Sequence, residues 1–316
     1  MDKGKYADLI DDETWAFIER TESWYPPDTV DYSIDQQRDI YDKMCREFFI
    51  GYPDGISVSD ETLDTDAGPI PVRHYAQEQS ASSGAPVAQI VFFHGGGFVV
   101  GGLESHDDVC AELCAGTGYP VTSVDYALAP EHVWPADFNQ ALAAFRHVAR
   151  RTGLPTLVVG DSAGGNLAAA VSHATRGEDV APVGQVLIYP GLGSDSDGGT
   201  FVTHANAPML TTHDVLFYKT IRTGGRDDVF DNPSCAPLND TDFSNLPPTF
   251  IATAECDPLA GDGERYRDAL LADGSRAVWF NEKGLVHGYL RARHSVERAR
   301  VSFARIIEAS AALGRG

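Results

Sequence analysis

Lysine is scarce in this 316-residue chain. Only Lys3, Lys5, Lys43, Lys219 and Lys283 occur, and arginine supplies most of the positive charge. Acidic residues number 46 against 24 basic ones, which leaves a net charge of −22 and a pI of about 4.6. A surface of that sign repels nucleic acid and anionic membranes, so neither is an expected partner. The excess of aspartate over lysine fits either a salt-adapted surface, whose self-repulsion salt would screen, or an ordinary acidic protein. Also missing is any apolar run of the ~20 residues that a membrane helix needs. The start, Met1-Asp2-Lys3-Gly4-Lys5-Tyr6, leads into acidic sequence without a secretory h-region, and the expectation is a cytoplasmic protein. Cysteine is limited to Cys45, Cys110, Cys114, Cys235 and Cys256, an odd, scattered set that makes no disulfide framework. His106, Cys110 and Cys114 would share a face if their stretch is helical. Small buried thiols facing a sheet explain that spacing better than a metal site does, so no metal is expected. Internal repeats and low-complexity tracts are absent.

What is present suffices for a substantial core. At 43% hydrophobic, the chain can build one large domain with an elaboration, or two domains. Residues 1–50 look helical and amphipathic, with Ile40, Met44 and Phe48 recurring every four positions. Trp15, Phe17, Ile18, Trp24 and Tyr25 precede a Pro26-Pro27 break. Such a segment is too short to fold alone; it either packs into the core or forms a lid whose aromatics line a pocket. From about residue 56 the texture changes. Candidate strands at 72–75, 89–93, 121–125, 156–159, 185–189, 249–253 and 277–281 alternate with candidate helices at 105–117, 135–151, 163–175, 258–272 and 292–312. That alternation predicts an α/β fold with a mostly parallel sheet, covered on both faces where runs such as Val91-Phe92-Phe93 stay apolar. A Gly/Ser/Asp-rich loop at 191–200 and a helix at 210–221, which Thr211 or Thr212 can cap, interrupt the rhythm. This is a candidate insertion. Residues 81–85 read as a flexible connection.

Three segments carry chemistry. Gly160-Asp161-Ser162-Ala163-Gly164-Gly165 places a serine on a tight turn between a strand and a helix, the pattern of a nucleophile elbow. Such a turn forces the serine into an unfavourable backbone conformation and lifts its hydroxyl from the sheet, and the helix behind offers its positive end to a developing anion. His94-Gly95-Gly96-Gly97-Phe98 follows a strand, and its glycines let backbone N–H groups approach an oxyanion closely. A phosphate loop is a poor alternative, because no Gly-Lys-Ser/Thr follows. His94 precedes the donors directly, so it is expected to hold the loop rather than act as base. Asp257-Pro258-Leu259 lies just past a strand, where catalytic groups of open α/β sheets collect, and His287-Gly288 follows the next strand by a loop at 282–286. Asp262 and His294 are the rivals for acid and base. The former lies deeper in a helix; the latter sits within the last helix and is expected to face solvent. Serine, aspartate and histidine in this order suit acyl transfer at an ester.

Together these residues resemble one family, the hormone-sensitive-lipase-like bacterial esterases of the α/β-hydrolase superfamily. The resemblance rests on HGGGF at His94–Phe98, DYALAPEH at Asp125–His132, GDSAGGN at Gly160–Asn166, DPL at Asp257–Leu259 and HGY at His287–Tyr289, and it covers roughly residue 40 to the end. It implies a Ser162–His287–Asp257 triad and an oxyanion hole from the N–H groups of Gly96, Gly97 and Ala163. It also implies a helical cap from residues 1–50 plus an insertion at about 196–225, on a catalytic domain spanning 51–316. The expected activity is hydrolysis of short- to medium-chain acyl esters, without a cofactor, by a chain that forms a homodimer, as many members do. Amide, carbamate or lactone hydrolysis with the same triad is the alternative within enzymes, and a non-catalytic small-molecule receptor the alternative outside them. Ala127 and Ala260 stand where the family usually has arginines, at positions that brace loops.

Overall fold

Among the described residues of the computed structural model (3–26, 32–78 and 85–316), eight strands form one sheet. They are β1 (Ile56–Thr65), β2 (Gly68–Gln77), β3 (Gln89–Phe93), β4 (Val121–Val124), β5 (Thr156–Asp161), β6 (Gly184–Ile188), β7 (Thr249–Cys256) and β8 (Ala277–Val286). Their order across the sheet is β1-β2-β4-β3-β5-β6-β7-β8. β1 and β2 form an antiparallel hairpin and β2 runs antiparallel to β4, whereas every pairing from β4 through β8 is parallel. All residues of β3, β5 and β6 are buried, as strands covered on both faces must be.

Helices form the two covering layers. They are α1 (Asp12–Glu22), α2 (Ile34–Glu47), α3 (Asp107–Thr117), α4 (Ala136–Thr152), α5 (Ala163–Ala174), α6 (Gly199–Thr203), α7 (Thr212–Thr223), α8 (Ala260–Ala272) and α9 (Glu297–Gly314). On one face, Ile90, Phe92 and Leu157 pack with side chains of α1, α3 and α9, including Ile18, Leu113 and Ile306. On the other, Val91, Phe93 and Val158 meet Phe145 of α4, Leu167 of α5 and Leu270 of α8. Cys110 and Cys114 are core residues of the first face, as their spacing suggested. α1 and α2 carry their own start signals: the Asp11 carboxylate accepts the Thr14 N–H, and Ser33 with Gln36 closes a capping box. Trp15, Phe17 and Phe48 of the N-terminal segment are buried in this core, and Trp24, Tyr25 and Tyr41 pack against it.

Several boundaries move. β1 lies outside the expected strands because it reads as polar: only Leu63 is buried, and the strand forms the sheet edge. Residues 282–286, expected as a loop, belong to β8. After a bulge at Ala254/Cys256, Cys256 pairs with Val286 and prolongs the ladder. The helix expected at 105–117 begins with a 3₁₀ turn, Leu103–His106, and the last helix starts at Glu297, which leaves His294 in the preceding turn. α7 starts at the Thr211 capping box. The break in the strand–helix rhythm spans 189–248 and contains α6 and α7. Pro27 and most of the 81–85 connection lie outside the described residues.

Candidate active site

Parallel pairing brings four strand ends to one edge of the sheet, and the chemistry-bearing residues follow those ends directly. Gly160 of β5 pairs with Phe93 of β3, so Asp161 stands beside the start of the glycine loop. Pairing of Cys256 with Val286 sets the next residues, Asp257 and His287, side by side. Ser162, one residue beyond β5, donates its N–H to Ile188 O at 2.8 Å.

Ser162 has φ 53° and ψ −115°, a conformation that costs a non-glycine residue about 1–3 kcal/mol. Its neighbours make the turn possible. A Cβ at Gly160 or at Gly164 would run into the backbone oxygen of Phe93, so only glycine lets α5 pass this close to β3. All of α5 from Ala163 to His173 is buried, which holds the strained residue in place.

The Ser162 Oγ lies 2.9 Å from His287 Nε2, and His287 Nδ1 lies 2.7 Å from Asp257 Oδ2. Asp257 is wholly buried, and its other oxygen accepts the Leu259 N–H at 2.8 Å. Distances of this size fit a proton relay from hydroxyl to imidazole, with the carboxylate fixing the ring. The rivals lie elsewhere. Asp262 accepts the N–H groups of Leu192 (2.6 Å) and Gly193 (3.2 Å), which ties α8 to the loop after β6, and burial pushes its carboxyl up. His294 is exposed, as expected, and bonds Glu112 at 2.9 Å.

The glycine loop is held from behind. Gly95 N–H donates to Asp161 Oδ1 at 2.8 Å, and Tyr126 Oη donates to His94 O at 2.7 Å. His94 is fully buried and stacks on Tyr126 with ring centres 4.3 Å apart, while its Nδ1 bonds Gly95 O at 2.8 Å. It therefore braces the loop, as its position suggested. Burial, helped by the neighbouring His106, brings its pKa down to about 4, so the ring is neutral. Beyond Gly95, Gly96 has φ 128° and Gly97 φ 62°, and the hydrogen bonds of the loop engage Gly96 O but neither the Gly96 nor the Gly97 N–H. The Ala163 N–H opens α5 and has no acceptor within the helix. Gly96, Gly97 and Ala163 border the same cavity as Ser162 and His287.

These features have counterparts among known proteins. Residues 90–291 match a family model described as alpha/beta hydrolase fold. The esterase LipI of Mycobacterium tuberculosis is 38% identical over 245 residues, 74% of this chain and 75% of that protein. This chain belongs to the α/β-hydrolase family. Within it, the chain is a hormone-sensitive-lipase-like esterase, a carboxylic ester hydrolase. The ethyl acetate hydrolase of Pseudomonas putida is 33% identical over 262 residues, 80% of this esterase and 81% of the relative. The solved hyperthermophilic esterase of Pyrobaculum calidifontis superposes with a TM-score of 0.86 at 31% identity, covering 96% of this chain and 99% of that one.

The cavity of this α/β-hydrolase measures about 530 Å³, within the usual size for a small-molecule site. Two segments wall it. Tyr25, Tyr41 and Met44 come from the N-terminal part, and Phe201, Leu210 and Tyr218 from the interruption between β6 and β7. α7 is clamped to the body by a buried ion pair, Arg222 to Asp137 at 2.7 Å, with the Arg222 guanidinium 3.5 Å above the Phe98 ring. The Tyr218 ring covers Gly97 so closely that a Cβ there would lie 2.6 Å from Cγ.

Asp161 was missed as a functional residue. Burial opposes its ionisation, but His106 Nε2 at 3.1 Å and the Gly95 N–H hold its pKa down to about 2. The fixed carboxylate thus joins the glycine loop to the elbow. Its place between Gly160 and Ser162 was a signal, but what it bonds to lies 66 residues away. Of the wall, the sequence offered only the N-terminal aromatics, Tyr25 among them, and the inserted helix at 210–221; it did not single out Phe201 or Tyr41.

Proposed function

We propose that this carboxylic ester hydrolase cleaves short- to medium-chain acyl esters through an acyl-enzyme, with Ser162 as nucleophile, His287 as general base and Asp257 as the group that orients it. The observation that carries this reading is the aligned Ser162–His287–Asp257 contact, at 2.9 and 2.7 Å, opening on a largely apolar cavity. Ser162 Oγ attacks the carbonyl carbon as His287 Nε2 takes its proton, and Asp257 stabilises the imidazolium that forms. Negative charge on the carbonyl oxygen is received by the N–H groups of Gly96, Gly97 and Ala163, at the positive end of α5. Collapse expels the alcohol, which carries away the proton from His287. Water, deprotonated by the same imidazole, then attacks the acyl carbon and releases the acid and Ser162.

Residues 1–50 and the insertion at about 196–225 act in this reading as a cap over a 51–316 catalytic domain, and the cap sets the acyl length. Support comes from the wall residues that both segments contribute. The homodimer belongs to the reading on family resemblance alone, and sedimentation equilibrium tests it.

The test is a chain-length series of p-nitrophenyl esters, with amides and lactones included. Activity should peak at short to medium acyl chains and be far lower on amides and lactones. Ser162→Ala should lower kcat by ~10⁴-fold or more with the thermal midpoint little changed. Retained turnover in that variant would overturn the assignment of the nucleophile.

A further inference from the structure

We propose that the cavity holds a carboxylate-binding pole built on Arg291, flanked by Tyr41 and Tyr189, and that the enzyme takes esters bearing a second, ionised carboxyl group. The proposal rests on the carboxylesterase reading above and names a substrate class within it.

Arg291 lies four residues beyond His287, on the short turn Tyr289–Ala292, and borders the same cavity as Ser162. Its guanidinium lies near Gly288: a Cβ on that glycine would come within 3.5 Å of Nη1. Nε donates to Cys45 Sγ at 3.3 Å and Nη2 to Tyr41 Oη at 2.5 Å. Neither partner is an anion. Arg222 and Arg293, which are more deeply buried, are each held by carboxylates: Asp137 for the first, Asp108 and Glu112 for the second. Among the described residues Arg291 is in no ion pair. Asp161 acts on it only at a distance, with Oδ1 already taken by the Gly95 N–H and approached by His106.

The surroundings add donors and few acceptors. Tyr41 Oη receives a hydrogen bond from Arg291 and turns its own proton to the Cys45 thiol. The Tyr189 ring packs 4.8 Å from that of His287, and its buried hydroxyl has no partner among the described residues. A guanidinium without a carboxylate in contact and the unpartnered Tyr189 phenol, at the wall of a cavity, make a site short of an acceptor. A carboxylate supplies one with the matching charge and planar geometry. Arg291 is half-buried and the carboxylate that acts on it, Asp161, is committed to the Gly95 N–H, so an anionic group entering the cavity would be its first carboxylate in direct contact. The carboxylate is a spectator. The ester bond is broken as before, with water supplying hydroxyl to the acid and a proton to the alcohol.

The simpler role for Arg291 is bracing Tyr41 and Cys45 of α2, and the experiment separates the two. Three esters are compared: p-nitrophenyl butyrate, mono-p-nitrophenyl glutarate with the carboxylate on the acyl side, and 4-carboxyphenyl butyrate with it on the alcohol side. For at least one anionic ester, kcat/KM relative to the neutral ester should fall 30-fold or more in Arg291→Met, chiefly through KM, and less in Arg291→Lys. A ratio that changes under tenfold for both anionic esters overturns the proposal, as does a wild-type enzyme that handles both at less than a tenth of the neutral rate. If Arg291→Met does not fold, inhibition of the wild type decides. Glutarate must inhibit butyrate ester hydrolysis at least tenfold more tightly than glutaramide, and weaker discrimination overturns the proposal. Loss of all turnover in Ser162→Ala keeps the carboxylesterase reading intact whichever way the Arg291 arms fall.

Discussion

The edge of the sheet and the wall of the cavity are built on different principles. At the edge, Ser162, Asp257 and His287 are each one residue past a strand, and close contacts fix the site: the Ser162 turn, the Leu259 N–H on Asp257, the His94 and Tyr126 brace behind the glycines. At the wall, side chains from α2, α6 and α7 meet from distant parts of the chain, and their positions depend on how whole helices pack. The first region is rigid because backbone groups hold it. The second is rigid only where a specific clamp exists, as with Arg222 and Asp137. A site of this kind keeps its reaction constant while its substrate range varies with the wall.

Variants at the edge should therefore reduce rate, and variants at the wall should change selectivity. The largest effect after loss of the nucleophile is expected for Asp257→Asn, with kcat down ~10⁴-fold and KM little changed, because the ring of His287 is then held in the wrong tautomer. Steady-state kinetics on p-nitrophenyl butyrate measure it, and a loss below tenfold would place the orienting group elsewhere. Gly97→Ala should cost ~10²–10³ in kcat, since the residue has φ 62° and its new Cβ meets the Tyr218 ring. Recovery of rate in Gly97→Ala with Tyr218→Ala would show that the ring, rather than the backbone angle, is the obstacle. At the wall, Leu210→Ala should shift the ratio of kcat/KM for long against short acyl esters by about tenfold and leave acetate turnover nearly unchanged. An equal loss on every chain length would break the distinction between the two regions.

The smallest effect concerns stability. His94 is buried with its pKa lowered from 6.5 to about 4. The unfolded chain therefore binds a proton that the folded chain refuses. Stability is full above about pH 6.5 and declines as pH falls from there to 4, by up to about 3 kcal/mol. Thermal midpoints across that range should fall less steeply in His94→Asn, which can keep the bond to Gly95 O. An unchanged slope would remove His94 as the cause. Asp161, with its pKa at about 2, contributes the opposite margin. Its ionised form is favoured in the fold, and that stability is lost only as pH falls from about 3.8 towards 2.

How far the sequence could be read follows the same division. Ser162, Asp257 and His287, which the structure brings within hydrogen-bond reach, and Gly96, Gly97 and Ala163, which border the same cavity, could be singled out because each sits in a short motif whose glycines or flanking strand restrict the backbone locally. His94 was legible as a brace for the same reason. β1 was not, since an edge strand with one buried residue carries no apolar alternation. The end of β8 was misread because its last residues are kept in the ladder by pairing with β7, a partner 30 residues distant. The N-terminal aromatics left core and pocket wall both open in the sequence, and the structure uses both: Trp15 and Phe17 are buried against the sheet face, while Tyr25 borders the cavity. Cys110 and Cys114 were correctly read as buried thiols, while His106, on the same stretch, turned out to approach Asp161.

By itself the amino-acid order determined the alternation of strands and helices, the strained turn at Ser162 and the reaction class, because these depend on residues within a few positions of one another. Only the tertiary structure decided how the wall closes over the strand ends, how large the cavity is and where the Arg291 guanidinium meets it. Those relations join residues tens to hundreds of positions apart, and register, helix packing and burial settle them where local preference has no say.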